Sequence, residues 1–152
     1  MKIRKNMLPV LRPCGGKEEI KALTEVIESG WWGNGPKVTQ FENEFAEMVG
    51  AKYAVAVTSN SHGQDLVMKA LDIKDGDVIN PTISFMATAM IPLWQPNITT
   101  NVVDVDPITM CIDPEDVKKH LTPNTKAIIA VNQAGVPAPI DEIRKFYDGL
   151  II

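Results

Sequence analysis

The sequence predicts an α/β fold with a largely parallel sheet, and three observations predict it. Apolar strand-like runs alternate with amphipathic helical segments from one end of the 152-residue chain to the other. One of those runs, residues 126–131 (KAIIAV), is apolar enough to be buried on both faces. Residues 52–71 read as strand, small polar turn and helix, and the turn Thr58-Ser59-Asn60-Ser61 presents backbone N–H groups and hydroxyls at a helix N-terminus. Such a terminus is a natural seat for a phosphate or similar anion.

The elements follow in order. Residues 17–29 carry Ile20, Leu23, Val26 and Ile27 on one helical face, and Gly30 ends that helix. The run Trp31-Trp32-Gly33-Asn34-Gly35-Pro36 holds too much glycine for regular structure. A second helix then aligns Val38, Phe41, Phe45 and Met48 and closes at Gly50. Val55 to Val57 form the core of a first strand, followed by a helix from about Ser61 to Leu71 and a turn at 74–77. Val78-Ile79 is a short strand stopped by Asn80-Pro81, and 85–93 is a helix with Pro92 near its end. Residues 101–105 make a strand, and 113–121 a helix with Asp113 as N-cap and Pro114 at its first position. Strand 126–131, helix 139–147 and a last strand from Leu150 complete the pattern. The absence of linkers, repeats and low-complexity tracts predicts a single domain, large enough for a real core. The apolar ending Leu150-Ile151-Ile152 reads as a strand cut short.

Composition narrows the function classes. A formal net charge of −4 without a basic stripe argues against nucleic acid, and the run from Lys2 to Lys5 reads as a solvated end. No apolar stretch approaches the roughly 20 residues of a membrane span, and residues 1–11 lack the apolar centre of a signal peptide. A cytoplasmic protein without membrane partners is expected. Cys14 and Cys111 stand in no metal-ligand spacing and read as free thiols. The sequon Asn97-Ile98-Thr99 reads as chance in a chain without a secretion signal.

Ligands of open α/β sheets gather at the carboxyl ends of strands. The residues there are Thr58 to Ser61, Asn80 to Phe85, Asp104, Asp106 and Asn132-Gln133. Together they supply an anion cup, an aromatic ring, carboxylates and amides, and each has a plainer reading. The polar turn also serves as an N-cap, Phe85 as a core residue, the aspartates as caps and turn formers, and the amides as spacers. His62 either adds charge beside an anion or faces solvent, while His120 ends a helix. No metal site is predicted.

The order and spacing of these segments add a resemblance. Gly30-Trp31-Trp32-Gly33-Asn34-Gly35-Pro36-Lys37-Val38, followed by Phe41-Glu42, resembles the opening of the DegT/DnrJ/StrS family of pyridoxal-phosphate-dependent nucleotide-sugar aminotransferases. The likeness continues through Phe45-Ala46, 54–57, Gly76-Asp77, Pro81, Ser84-Phe85, Ala87-Thr88, 103–107, 125–129 and Gly135. It implies the large domain of a fold-type I enzyme, an α/β/α sandwich with a mostly parallel sheet, of which residues 1–152 form the N-terminal part. It also implies a helical, dimer-contacting segment over residues 1–50.

Carried over by position, Ser59, Asn60 and Ser61 stand where the family holds the phosphate of pyridoxal 5'-phosphate. Asn60 replaces a glycine there and is expected to take left-handed backbone. Phe85 stands where an aromatic stacks on the pyridine ring, and Gln133 beside Asn132 where a polar pair lies near the cofactor. The segment from Asn60 to Asp65 is more polar than its family counterpart. Transamination also needs a Schiff-base lysine and a carboxylate on the ring nitrogen, and the resemblance places both beyond Ile152. The expected activity is therefore that of a longer protein, with this chain alone inactive. That activity moves an amino group, from glutamate, to a nucleotide-linked keto sugar in a homodimer. The alternatives are a sugar dehydratase of the same family, and a non-catalytic homologue, either a truncated remnant or a partner-binding module.

Overall fold

The structure, a computed structural model, describes residues 11–152, so the basic run Lys2–Lys5 and most of residues 1–11 lie outside the described residues. The chain divides into two compact units, one reaching Ala56 and the other spanning Val57–Ile152.

In the first unit, α1 (Lys17–Ser29) and α2 (Pro36–Val49) end as the sequence predicts. Gly30 and Gly50 both take left-handed backbone at φ 70° and 68°, a conformation that costs glycine nothing. Between the helices the Trp31 indole N–H donates to the Asn34 carbonyl at 2.9 Å, and Lys37 reaches Glu25 at 2.8 Å. The expected strand at Val55–Val57 does not form. Val55 is 75% exposed, and among the described residues nothing pairs with the segment as a ladder. The Ala56 N–H instead donates to Glu42 Oε1 at 2.8 Å. Apolar β-branched residues favour extended backbone, but a strand exists only when a neighbour takes its hydrogen bonds.

The second unit carries a four-stranded, all-parallel sheet in the order β2-β1-β3-β4. The strands are β1 (Asp75–Pro81), β2 (Asn97–Val103), β3 (Thr125–Ile128) and β4 (Leu150–Ile151). Alternation along β1 and β3 sends neighbours to opposite faces. Val78 and Ala127 pack with Met68 of α3 (Asn60–Ala70), while Ile79 and Ile128 pack on the other side. There they meet Val117 of α5 (Pro114–His120) and Ile143 of α6 (Ile140–Ile143). Helices thus cover both faces, the α/β/α layering that parallel sheets require.

Several boundaries differ from the sequence reading. The expected turn at 74–77 is largely strand, because Asp75 to Val78 pair with Asn97 to Thr100. The same pairing starts β2 at Asn97 rather than Asn101, and β2 ends where Asp104 gives its N–H to Asp116. Helix 85–93 shortens to α4 (Met86–Met90) and a 3-10 turn at Pro92–Trp94, since Pro92 has no N–H to continue α bonding. β3 is shorter than 126–131, although the Ile129 and Ala130 N–H groups still donate to Ile79 and Ile152 carbonyls. α6 is shorter than 139–147, and the Arg144 guanidinium holds the Tyr147 and Gly149 carbonyls as the chain turns into β4. Asp113 caps α5 as predicted, accepting the Glu115 N–H at 2.9 Å.

Candidate functional site

Within the second unit, the carboxyl ends of the strands open onto a cleft of about 620 Å³. Its walls come from the start of α3, from α4 and from the chain leaving β3 and β4. Ser59, Asn60, Ser61 and Phe85 all line it, so four of the five sequence-predicted site residues are brought together. Gln133 is not among its lining residues. It lies in the 3-10 turn Gln133–Gly135, and its neighbour Asn132 lines the cleft instead. Asn132 Oδ1 accepts the Ala138 N–H at 2.9 Å, which fixes this wall.

The start of α3 follows from its sequence. Ser59 is extended (φ −162°, ψ 159°) and its Oγ accepts the His62 N–H at 3.2 Å, an ordinary serine N-cap. The hydroxyls of Thr58 and Ser59 also lie 2.8 and 3.2 Å from His62 Nδ1, and the ring is exposed. Asn60 does not take the left-handed backbone expected of it; it is the first residue of the helix. Its side chain is occupied one turn on, where Gln64 Nε2 donates to Asn60 Oδ1 at 2.7 Å. A helix start leaves its first N–H groups without intrahelical partners, so the Asn60 and Ser61 amides are the donors available to an anion.

Phe85 is 77% exposed, which excludes the core reading and leaves its ring face free. It holds the N-cap position of α4 with φ −67° and ψ 141°. The opposite character comes from Ile129, Ala130, Val131 and Ile152, which make the lining partly apolar. Two further polar residues line the cleft that sequence reasoning missed. Thr88 is 4% exposed, and Gln64 carries a shielded Oε1 without a hydrogen-bond partner. Gln64 was legible only as added polarity on a helix that had to pack against a sheet. Unpaired N–H groups, hydroxyls, carboxamides, a free aromatic face and an apolar floor fit a flat, phosphate-bearing small molecule.

The remaining candidates take their plainer roles. Asp106 Oδ1 accepts the Ile108 and Thr109 N–H groups and the Thr109 hydroxyl, and these bonds hold its carboxyl below the usual range. It is a turn former. Asp104 donates its N–H to Asp116 Oδ2 at 2.9 Å, which lowers the Asp116 carboxyl in turn. His120 Nδ1 sits 2.9 Å from the Asp116 carbonyl at the end of α5. Lys126 lies 3.7 Å from Asp75, in a separate groove with Asp72 and Leu150 at the other end of the strands. Cys14 and Cys111 are free thiols. Among the described residues no group of His, Cys, Asp and Glu is arranged to hold a metal, and no helix is long and apolar enough to cross a membrane.

An all-parallel sheet with a phosphate-competent cleft at its carboxyl end defines an α/β small-ligand-binding domain. Comparison with known proteins narrows that class. Residues 13–150 match the DegT/DnrJ/EryC1/StrS aminotransferase family, and the chain belongs to this family. Its fold is similar to that of the E coli GDP-4-keto-6-deoxy-D-mannose-3-dehydratase solved with bound hydrated PLP. That similarity has 35% identity and a TM-score of 0.86 over 94% of this chain and 39% of that one. A GDP-4-keto-6-deoxymannose-3-dehydratase with a trapped PLP-glutamate geminal diamine is 34% identical (TM-score 0.87, 95% of this chain and 40% of that one). The aminotransferase from Psychrobacter cryohalolentis is 33% identical (TM-score 0.79, 88% and 34%). The chain therefore spans about two fifths of the length of the first two structures.

Proposed function

We propose that this chain is the cofactor-binding part of a pyridoxal-phosphate-dependent enzyme that transfers an amino group to a nucleotide-linked keto sugar. The observation that carries the reading is the convergence of Ser59, Asn60, Ser61 and Phe85 on one cleft. The Asn60 and Ser61 amides and the Ser61 hydroxyl hold the phosphate, helped by the positive end of α3. Phe85 holds the pyridine ring by its face. Ile129, Ala130 and Ile152 exclude water beneath it. When bound, the cofactor supplies the electron sink that stabilises negative charge on a substrate carbon. Among the described residues no lysine lines this cleft, so none is assigned a proton-transfer role; Ser59–Ser61, Gln64, Thr88 and Asn132 supply its polar lining. Glutamate as donor and a homodimeric assembly belong to the same proposal. The exposed Leu23, Trp31 and Trp32 of the first unit support an interface there.

A second reading is favoured by one observation: two relatives at 34–35% identity are dehydratases acting on GDP-4-keto-6-deoxymannose. Incubating the full-length protein with a nucleotide-linked 4-keto-6-deoxy sugar, pyridoxal phosphate and glutamate distinguishes the two. Mass analysis of the sugar product shows a gained amine for transfer and a lost oxygen for dehydration. Unchanged sugar across a panel of such substrates, with cofactor bound, sinks both.

A further inference from the structure

The cofactor reading leaves one buried hydroxyl unused. Thr88 lines the cleft and is 4% exposed, yet its Oγ1 makes no hydrogen bond with any described residue. Nor is that oxygen closed off. Among the described residues the sealed, unpartnered side-chain atoms are Gln64 Oε1, Asp65 Oδ1, Asn80 Oδ1 and the Tyr147 hydroxyl, and Thr88 Oγ1 is not one of them. A helical threonine can satisfy its hydroxyl on a carbonyl one turn back. Thr24 does so in α1, donating to the Ile20 carbonyl at 2.8 Å, and Thr88 does not. A buried hydroxyl without a partner costs stability, so one that opens onto a binding cleft points to a partner arriving there.

The place of Thr88 in the fold says which part of a ligand carries that partner. Thr88 follows Phe85 by three residues at the start of α4, and its N–H donates to the Phe85 carbonyl at 2.9 Å. An N-cap residue and the third residue of its helix share one side of the first turn. Phe85 is 77% exposed, so that side carries a free aromatic ring at its outer end and the Thr88 hydroxyl at its inner end. A flat ring laid against Phe85 turns its inner edge toward Thr88. The anion donors, the Asn60 and Ser61 amides, stand on the other wall at the start of α3. A hydroxyl both donates and accepts, which suits a polar atom in a heteroaromatic ring edge in either protonation state.

We propose that Thr88 is a cofactor-binding residue whose hydroxyl hydrogen-bonds the polar edge of the pyridine ring, not the phosphate. The proposal rests on the cleft being a pyridoxal-phosphate site. Three contacts then constrain the ligand in three ways. The α3 amides anchor its phosphate arm, Phe85 sets the plane of the ring, and Thr88 sets the rotation of the ring within that plane.

The test is a fluorescence titration of the full-length protein, freed of cofactor, with pyridoxamine phosphate and with pyridoxamine, neither of which bonds covalently to protein. Thr88→Val keeps the shape of the side chain and removes the hydroxyl. It is expected to weaken both ligands by the same factor, about fivefold to hundredfold, the range for leaving a buried polar atom unpaired. The ligand-free variant is expected to melt at or above the unmutated protein, because the lost hydroxyl had no partner there. Thr88→Ser keeps the hydroxyl and is expected to bind both ligands close to the unmutated affinity. A Thr88→Val protein that binds both ligands within twofold overturns the proposal, as does a loss confined to pyridoxamine phosphate or one that Thr88→Ser shares in full. A Thr88→Val protein that melts several degrees lower, or does not fold, gives the hydroxyl a partner within the protein and overturns it too. A folded, unmutated protein that takes up neither ligand overturns the cofactor reading, and this proposal with it.

Discussion

Replacing Phe85 by alanine separates ligand binding from folding. The side chain is 77% exposed and makes no capping hydrogen bond at the start of α4, so its removal opens no core cavity. The stability change is expected to stay within about 0.5 kcal/mol, the range for surface substitutions. Ligand affinity should respond far more. A pyridine ring covering one face of the phenyl ring removes roughly 60 Å² from water, about 1.5 kcal/mol at about 25 cal/mol per Å². Ring–ring contact adds about 0.5–1.5 kcal/mol. The sum, about 2–3 kcal/mol, corresponds to roughly a 30- to 140-fold loss of affinity. The assay is a pyridoxamine phosphate titration run beside a thermal melt, with Phe85→Tyr as the variant that restores the aromatic face. A melting point lowered by several degrees with unchanged affinity refutes the reasoning and returns Phe85 to a structural role.

Ile79→Ala tests the core on the face away from α3: Ile79 is fully buried among Val103, Ile112, Val117, Ile128 and Ile143, so chemical denaturation should show a loss of about 2–5 kcal/mol. Gly76→Ala should cost more than about 1 kcal/mol, because φ is +92° and a Cβ would meet the Asn124 carbonyl and the Lys126 side chain; an unchanged denaturation midpoint contradicts this. Asp116 is held below its ordinary pKa by the Asp104 N–H, with Lys119 and His120 adding to the effect. A depressed folded pKa means that its contribution is present above the unfolded-state carboxylate pKa and is lost as pH falls through the lower folded value. Asp116→Asn should therefore flatten the acid side of the stability–pH profile, and melts giving the same acid slope for both proteins contradict the assignment.

The helices of the first unit were legible because their ends carry chemistry: Gly30 and Gly50 supply left-handed backbone, and Pro36, expected to precede α2, is its first residue. Asp113-Pro114 marked α5 in the same way. Strand limits were less legible, since a ladder is settled by a neighbour distant in sequence. Asp75 to Asp77 looks like a turn until Asn97 to Thr99 pair with it, and Val55 to Val57 looks like a strand although no described segment pairs with it. Four of the five candidate site residues meet in one cleft because Ser59 to Ser61 form one short polar turn at a helix start and Phe85 follows a strand end. Gln64 and Thr88 were not legible, because their meaning depends on α3 and α4 facing the same cleft. Neither the helical spacing of Gln64 nor its polarity reveals that its Oε1 is shielded and unpaired.

A crystal structure of the full-length protein grown with pyridoxal phosphate tests the central claim most directly. The account predicts the phosphate at the Asn60 and Ser61 amides, with the pyridine ring against the face of Phe85. Cofactor seated elsewhere, or a folded protein that takes up none at saturating concentration, contradicts it.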